Sequence, residues 1–220
     1  FESTIREVLP ELEHRAATNQ WSDTTRREVQ EYLDATRDHA TNRLYRRLGW
    51  MPRAHPIELD GRLVLGVYHD GFSFALMAIT DDDGVHWRTS TPLIGGGNIQ
   101  PSLARRRDGT LVAYMRDNGP PPKRVLVAES KDRGETWGPV VDSEIPNPGS
   151  GSDILVLRDG TWAFIGNDTD EGRHRLSVWL SDDEGRTWRW RRALEDSGKD
   201  DSFSYPSLIQ TRDGRLHATY

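Results

Sequence analysis

Ser181-Asp182-Asp183-Glu184-Gly185-Arg186-Thr187-Trp188 decides how this chain is read, because its pattern, S/T-x-D-x-G-x-T-W, occurs twice more upstream. The other copies are Thr80-Asp81-Asp82-Asp83-Gly84-Val85-His86-Trp87, where His86 replaces Thr, and Ser130-Lys131-Asp132-Arg133-Gly134-Glu135-Thr136-Trp137. Their third-position aspartates, Asp82, Asp132 and Asp183, are spaced by 50 and 51 residues. The acid-rich octapeptide invites a catalytic or metal-binding reading. Its chemistry is instead that of a turn fastener: the carboxylate accepts N–H bonds across the turn, Gly supplies a backbone conformation closed to residues with a Cβ, and Trp packs beneath.

A second mark keeps the same period. Asp60-Gly61, Asp108-Gly109, Asp159-Gly160 and Asp213-Gly214 follow one another at 48, 51 and 54 residues, and each opens a strand-like run such as Leu111-Val112-Ala113-Tyr114. From each of the first three turns to the next box aspartate is 22, 24 and 24 residues. One unit therefore reads as hairpin, third strand, box turn and fourth strand, which is one blade of a β-propeller. Gln100-Pro101-Ser102-Leu103 and Tyr205-Pro206-Ser207-Leu208 both begin eight residues ahead of their Asp-Gly turns. The first strand of a blade lines the central channel, so Gln100 and Tyr205 are expected at equivalent places at its mouth.

Residues 1–49 follow a different grammar. Val29, Leu33, Ala40, Leu44 and Leu48 have helical spacing, and Thr25 with Glu28 forms a candidate capping box, so one long helix is expected over residues 25–48, stopped by Gly49. Ile5, Val8, Leu9 and Leu12 suggest a shorter helical piece that Pro10 delays or breaks. The expected organisation is a helical segment over 1–49 and about four blades over 50–220.

Composition narrows the function. With 35% hydrophobic residues and eight Trp the chain has material for a core, while a net charge of −6 offers no electrostatic footprint for nucleic acid. No apolar run is long enough for a membrane span, and no leader is visible. The start at Phe1 and the end at Tyr220, inside a strand-like run, read as those of a fragment. Gly95-Gly96-Gly97 has no following helix to present N–H groups to a phosphate, so it reads as a connection between blades; 147–152 reads as a flexible linker.

Three such boxes on 50-residue units, together with Asn98-Ile99-Gln100-Pro101, Tyr114-Met115-Arg116 and Tyr205-Pro206-Ser207-Leu208, resemble the sialidase (neuraminidase) superfamily, specifically bacterial sialidase-like proteins with BNR repeats. The resemblance covers residues 50–220. It implies an all-β, six-bladed propeller, partial in this chain, that cleaves terminal sialic acids with a Tyr nucleophile, a Glu that activates it, an Asp acid/base and three Arg that clamp the substrate carboxylate. On that resemblance Tyr205 matches the nucleophile, while Arg116 and Arg173 match the second and third clamp arginines. Gln100 stands where the Glu belongs; it can orient a phenol but cannot accept its proton. The first clamp Arg and the acid/base Asp belong to earlier blades. The resemblance also implies a secreted or periplasmic location, a glycan or oligosaccharide partner and no cofactor.

Other polar loop residues are candidate substrate contacts: Arg53, His55, Asp70, Asp117, Asn167 and Asp168. His55 and His69 lack partners at metal-ligand spacing, so no metal site is expected. The leading function is a glycoside hydrolase acting on a terminal acidic sugar. The alternatives are a glycan-binding propeller without catalysis, a lyase acting on uronic acids through Tyr205 with His55 or His174, and an interaction propeller with no glycan site.

Overall fold

The computed structural model describes the protein from Glu2 to Tyr220. From Trp50 onward the chain makes antiparallel sheets, one after another. The first holds β1 (Trp50–Pro52), β2 (Ile57–Leu59), β3 (Arg62–His69), β4 (Phe74–Thr80) and β5 (Arg88–Thr89). Both β1 and β2 pair with β3, so the inner strand of this sheet is interrupted at residues 53–56. The second sheet is β6 (Asn98–Arg105), β7 (Leu111–Asp117), β8 (Arg124–Ser130) and β9 (Val141–Pro146) in that order. The third is β10 (Asp153–Val156), β11 (Trp162–Asn167), β12 (Arg175–Ser181) and β13 (Trp190–Asp196). A last hairpin pairs β14 (Ser207–Gln210) with β15 (Leu216–Thr219). The expected unit of hairpin, third strand, box turn and fourth strand is present in all of the first three sheets, and the sheets do not close into a ring.

β10 touches both β6 and β14, so the first strands of successive sheets are neighbours. Apolar side chains fill the space between sheets. Met77, Ile79, Leu103 and Met115 join the first to the second, Tyr114, Val125, Trp162 and Phe164 join the second to the third, and Ile165, Leu176 and Leu208 join the third to the hairpin. Because both faces of a middle sheet are covered, its strands carry apolar runs on both sides.

The boxes are built alike. Ser181 Oγ donates to Asp183 Oδ1 at 2.8 Å and accepts from Gly185 N at 2.9 Å, while Thr187 N donates to Asp183 Oδ1 at 2.8 Å. Ser130, Asp132, Gly134 and Thr136 repeat this set. In the first box His86 Nδ1 lies 2.6 Å from Asp82 Oδ2, where the other boxes place a threonine hydroxyl. These bonds hold Asp183 and Asp82 below the usual carboxylate range, the bonds from Thr187 and from His86 being the largest causes. The carboxylates are occupied in fastening turns.

Two helices precede the sheets, and both depart from expectation. α1 (Glu2–Thr18) runs through Pro10 instead of breaking there, because Ile5, Leu9 and Leu12 are buried along one face and hold it in place. α2 (Asp23–Thr41) is capped by Ser22, whose Oγ accepts from Thr25 N at 3.2 Å, so the cap lies three residues before the expected Thr25. It ends at Thr41, where Asn42 Oδ1 accepts from Leu44 N and Tyr45 N and turns the chain away. Leu44 and Leu48, which extended the helical pattern on paper, are exposed. No helix among the described residues is long and apolar enough to cross a membrane.

The helical pair packs on the first sheet through Leu33 and Ala40 against Phe72, Phe74 and Ile94. His69 fastens this seam. Its Nδ1 accepts from Phe72 N at 3.2 Å and its Nε2 lies 2.8 Å from Leu48 O, an arrangement that requires the neutral Nε2–H tautomer. Burial lowers its pKa from the ordinary 6.5, against the Leu48 carbonyl and Asp70, which raise it. A base depressed on folding contributes stability that is complete above the unfolded value and is lost as pH falls through the folded one. Acidification below about pH 6.5 is therefore expected to loosen the helical pair before the sheets. Hydrogen exchange of Phe72 N at pH 7.5 and 5.5 checks this; equal protection at both would remove the role assigned to His69.

Candidate active site

The first strands of the second sheet and of the last hairpin start with the same irregular step. Gln100 and Tyr205 take positive φ values of 56° and 57°, although neither is glycine. Each precedes a proline, Pro101 or Pro206, which has no N–H for a ladder bond, and the register of β6 with β7 shifts between Ile99 and Ser102. Both residues thus hold a left-handed backbone conformation that a residue with a Cβ adopts only under strain. The equivalence expected from their eight-residue offset therefore appears in the backbone itself.

Tyr205 is the centre of the cluster, 47% exposed. Arg116 Nη1 donates to Tyr205 Oη at 3.2 Å, and the Arg173 guanidinium lies 5.3 Å from the ring centroid. Burial pushes the Tyr205 phenol up, but Arg116 and Arg173 together outweigh it and bring it below its ordinary value of 10.0. Cations favour the phenolate over the phenol. Arg116 Nη2 reaches Asn118 Oδ1 at 3.5 Å, and Arg173 Nη2 donates to Gly149 O at 3.0 Å. Arg53 brings a third guanidinium, 5.9 Å from the ring centroid, from the break in the inner strand of the first sheet. Its fork is used on backbone carbonyls, Ser152 O at 2.7 Å and Pro206 O at 2.5 Å, so it ties three sheets together at this point.

Gly151 has the same eight-residue offset from Asp159-Gly160 as Gln100 and Tyr205 have from their turns. A Cβ there would lie 2.6 Å from Arg53 Nε, 2.9 Å from Gln100 Oε1 and 3.0 Å from Tyr205 Cδ1. Its lack of a side chain is what lets those three converge. Two residues further along each of these strands stand Ser102, Asp153 and Ser207. Ser102 Oγ donates to Asp153 Oδ1 at 2.7 Å, while Leu208 N and Ser207 Oγ donate to Asp153 Oδ2 at 2.9 and 3.4 Å. The buried Asp153 thus knots three successive inner strands beneath the pocket, with His55 Nε2 3.6 Å from its Oδ1. The segment 147–152 is accordingly no flexible linker: Asn147, Ser150 and Ser152 are buried, and Asn147 Nδ2 donates to Ser150 O.

Of the candidate residues, the fold brings Tyr205, Arg116, Arg173, Arg53 and Gln100 together, with His55 below them. Gln100 is buried, and its Nε2 donates to Tyr68 Oη at 3.3 Å. Asn167, Asp168 and Asp117 serve elsewhere. Asn167 Nδ2 donates to the carbonyls of Arg173, Arg175 and Phe203; Asp168 accepts from Ser177 Oγ and Arg191; Asp117 accepts from Gly119 N and Arg124 N. All three are buried braces of the loops that carry the site. Asp70 lies on the helix side, where it lines a cleft together with Asp117 and Asn118. Gly151 is the residue that sequence reasoning missed, although the offset already used for Gln100 pointed at it.

The profile of the BNR repeat-like domain matches residues 17–218, nearly the whole chain. The chain belongs to this family. Within it, the BNR repeat-like chain is 26% identical over 156 residues to a sialidase of Micromonospora viridifaciens, a match covering 66% of the chain and 23% of that protein. Among solved structures it resembles a Hadza microbial sialidase, with a TM-score of 0.62 and 22% identity over 73% of this chain and 34% of that one. It resembles the NanB sialidase of Streptococcus pneumoniae with a TM-score of 0.58 and 20% identity over 74% and 26%. A protein of unknown function from Dyadobacter fermentans matches with a TM-score of 0.56 and 17% identity over 77% and 52%. The chain thus spans between 23% and 52% of the lengths of these proteins. The likeness in three dimensions is to the sialidase-like β-propeller fold.

Proposed function

We propose that the protein is a sialidase-type glycoside hydrolase that binds a terminal acidic sugar at Tyr205, on a six-bladed propeller of which these sheets form part. The observation that carries the reading is the pair Arg116 and Arg173 converging on a half-exposed tyrosine whose phenol they acidify. A guanidinium fork binds a carboxylate through two parallel bonds, so an acidic sugar is the ligand that this charge pattern selects. With its carboxylate held there, Tyr205 Oη attacks the anomeric carbon. The Oη–carbon bond forms as the glycosidic bond breaks, the leaving oxygen takes its proton from solvent water, and a water then attacks the same carbon, giving a proton to solvent and returning Tyr205 as the phenolate. Gln100 cannot take the phenolic proton, so the two arginines replace the missing carboxylate by making the phenolate accessible without a base.

Arg116→Ala tests this. The KM for 4-methylumbelliferyl sialoside is expected to rise about 100-fold, the worth of one or two charge-assisted bonds, and the ascending, low-pH limb of the rate profile to move to higher pH as the phenol rises. Arg116→Lys should recover part of both. An unchanged KM and an unmoved limb would end the reading.

A second reading has its own support: the groups that hold Tyr205 Oη are cationic, which suits proton abstraction next to a uronate carboxylate as well as nucleophilic attack. A lyase would release a product with an unsaturated ring and its ultraviolet absorbance, while a hydrolase releases a saturated sugar, so one incubation with an acidic oligosaccharide separates the two.

A further inference from the structure

Beside Asn118, whose Oδ1 accepts from Arg116, a cleft of about 730 Å³ runs between the helical pair and the loop after β7. We propose that it holds the leaving-group end of the oligosaccharide whose acidic sugar sits on Tyr205, so that the helices set which glycans are accepted. This rests on the reading of Tyr205 and Arg116 given above, and it gives the helical pair a task that the family resemblance does not.

The size is that of a small-ligand site. The walls mix aromatic and polar groups: Trp21 from the connection between the helices, Glu28 and Tyr32 from α2, and Asp70, Asn118 and Lys123 from the sheet loops. Flat aromatic rings fit the C–H faces of pyranoses, and amides and carboxylates take paired hydroxyls. Trp21 is held in place, since its Nε1 donates to Pro121 O at 3.1 Å across the seam. Lys123 Nζ is held by Gly119 O on the opposite wall.

Continuity argues for one ligand across both sites. Asn118 Oδ1 accepts from Arg116 Nη2 at 3.5 Å, and its Nδ2 donates to Ser73 Oγ at 3.1 Å, so one side chain borders the arginine and the cleft together. Arg116 and Asn118 are two residues apart at the end of a strand, a separation of about 7 Å, roughly one sugar unit. A glycan with its acidic end on Arg116 and Tyr205 enters the cleft with its next units.

The test uses the intact protein with two substrates that end in the same acidic sugar, 4-methylumbelliferyl sialoside and a sialylated hexasaccharide. Trp21→Ala is expected to raise KM for the hexasaccharide about tenfold and to leave the aryl glycoside unchanged, while Trp21→Phe stays within threefold of the parent. Glu28→Trp, an exposed position whose new side chain fills the cleft, should reproduce the loss without touching the Trp21 anchor. An unchanged hexasaccharide KM in both Trp21→Ala and Glu28→Trp overturns the proposal. Binding of the neutral pentasaccharide alone, followed by tryptophan fluorescence in the parent and in Glu28→Trp, judges the cleft whichever way the Arg116 experiment falls. Saturable quenching lost in Glu28→Trp supports the cleft, and quenching absent from the parent or retained in the variant rejects it.

Discussion

Tyr205→Phe is expected to lower kcat on 4-methylumbelliferyl sialoside by about 1,000-fold or more while KM stays within about threefold. The variant removes one oxygen atom and keeps the ring that faces Arg173 and Arg53, so the pocket walls stay in place. What it loses is the atom that Arg116 Nη1 donates to at 3.2 Å, the only part of Tyr205 able to form a bond to carbon. On the proposed reading Arg116 and Arg173 still hold the carboxylate in this variant, so binding of free sialic acid should survive. A Phe variant with parental kcat would assign turnover to another group, and one that loses ligand binding as well would make the phenol a contact and not a nucleophile.

Gly185→Ala is expected to cost roughly 3 kcal/mol and to lower Tm by about 10 °C, the largest effect of any single methyl group in the boxes. The position has a φ of +77°, and a Cβ would lie 2.3 Å from Tyr114 Oη and 2.8 Å from Trp162 Cε3. Those rings belong to the core between the second and third sheets, so the box turn cannot give way without opening it. Gly109→Ala is the comparison, because its φ is +90° with nothing within 4 Å of the added atom. It should cost only the backbone term of about 1 kcal/mol. Equal losses in the two variants, read by thermal melts, would show that the packing against Trp162 contributes nothing.

The repeat was legible because it is local: an Asp-x-Gly turn closed by its own serine or threonine needs no information from elsewhere in the chain. The same locality made the equivalence of Gln100 and Tyr205 readable by counting. Helix ends were harder. Leu44 and Leu48 continued the helical period, but Asn42 satisfies the last turn and the leucines stay in solvent, a choice made by the docking of Ala40 and Tyr45 on Phe72. Pro10 fails to break its helix for a related reason, since burial of Ile5, Leu9 and Leu12 outweighs one missing N–H. At the site, Asn167, Asp168 and Asp117 have the composition of ligand contacts and act as braces, and no single-chain pattern separates a carboxylate facing solvent from one that, like Asp117, accepts from two backbone N–H groups. Gly151 was passed over because a glycine among Ser and Pro reads as slack. Only its neighbours from other sheets reveal that it is tight.

That glycine also says how a series of near-identical parts acquires a working direction. Three rotational copies of one position carry Gln, Gly and Tyr, and a propeller with equal occupants there would be crowded shut or uniformly open. Leaving the middle seat empty lets its two neighbours and Arg53 lean into the same volume. The inventive step in this chain is thus an omission, and the symmetry of the repeat had to be broken at one place before any of the retained side chains could meet.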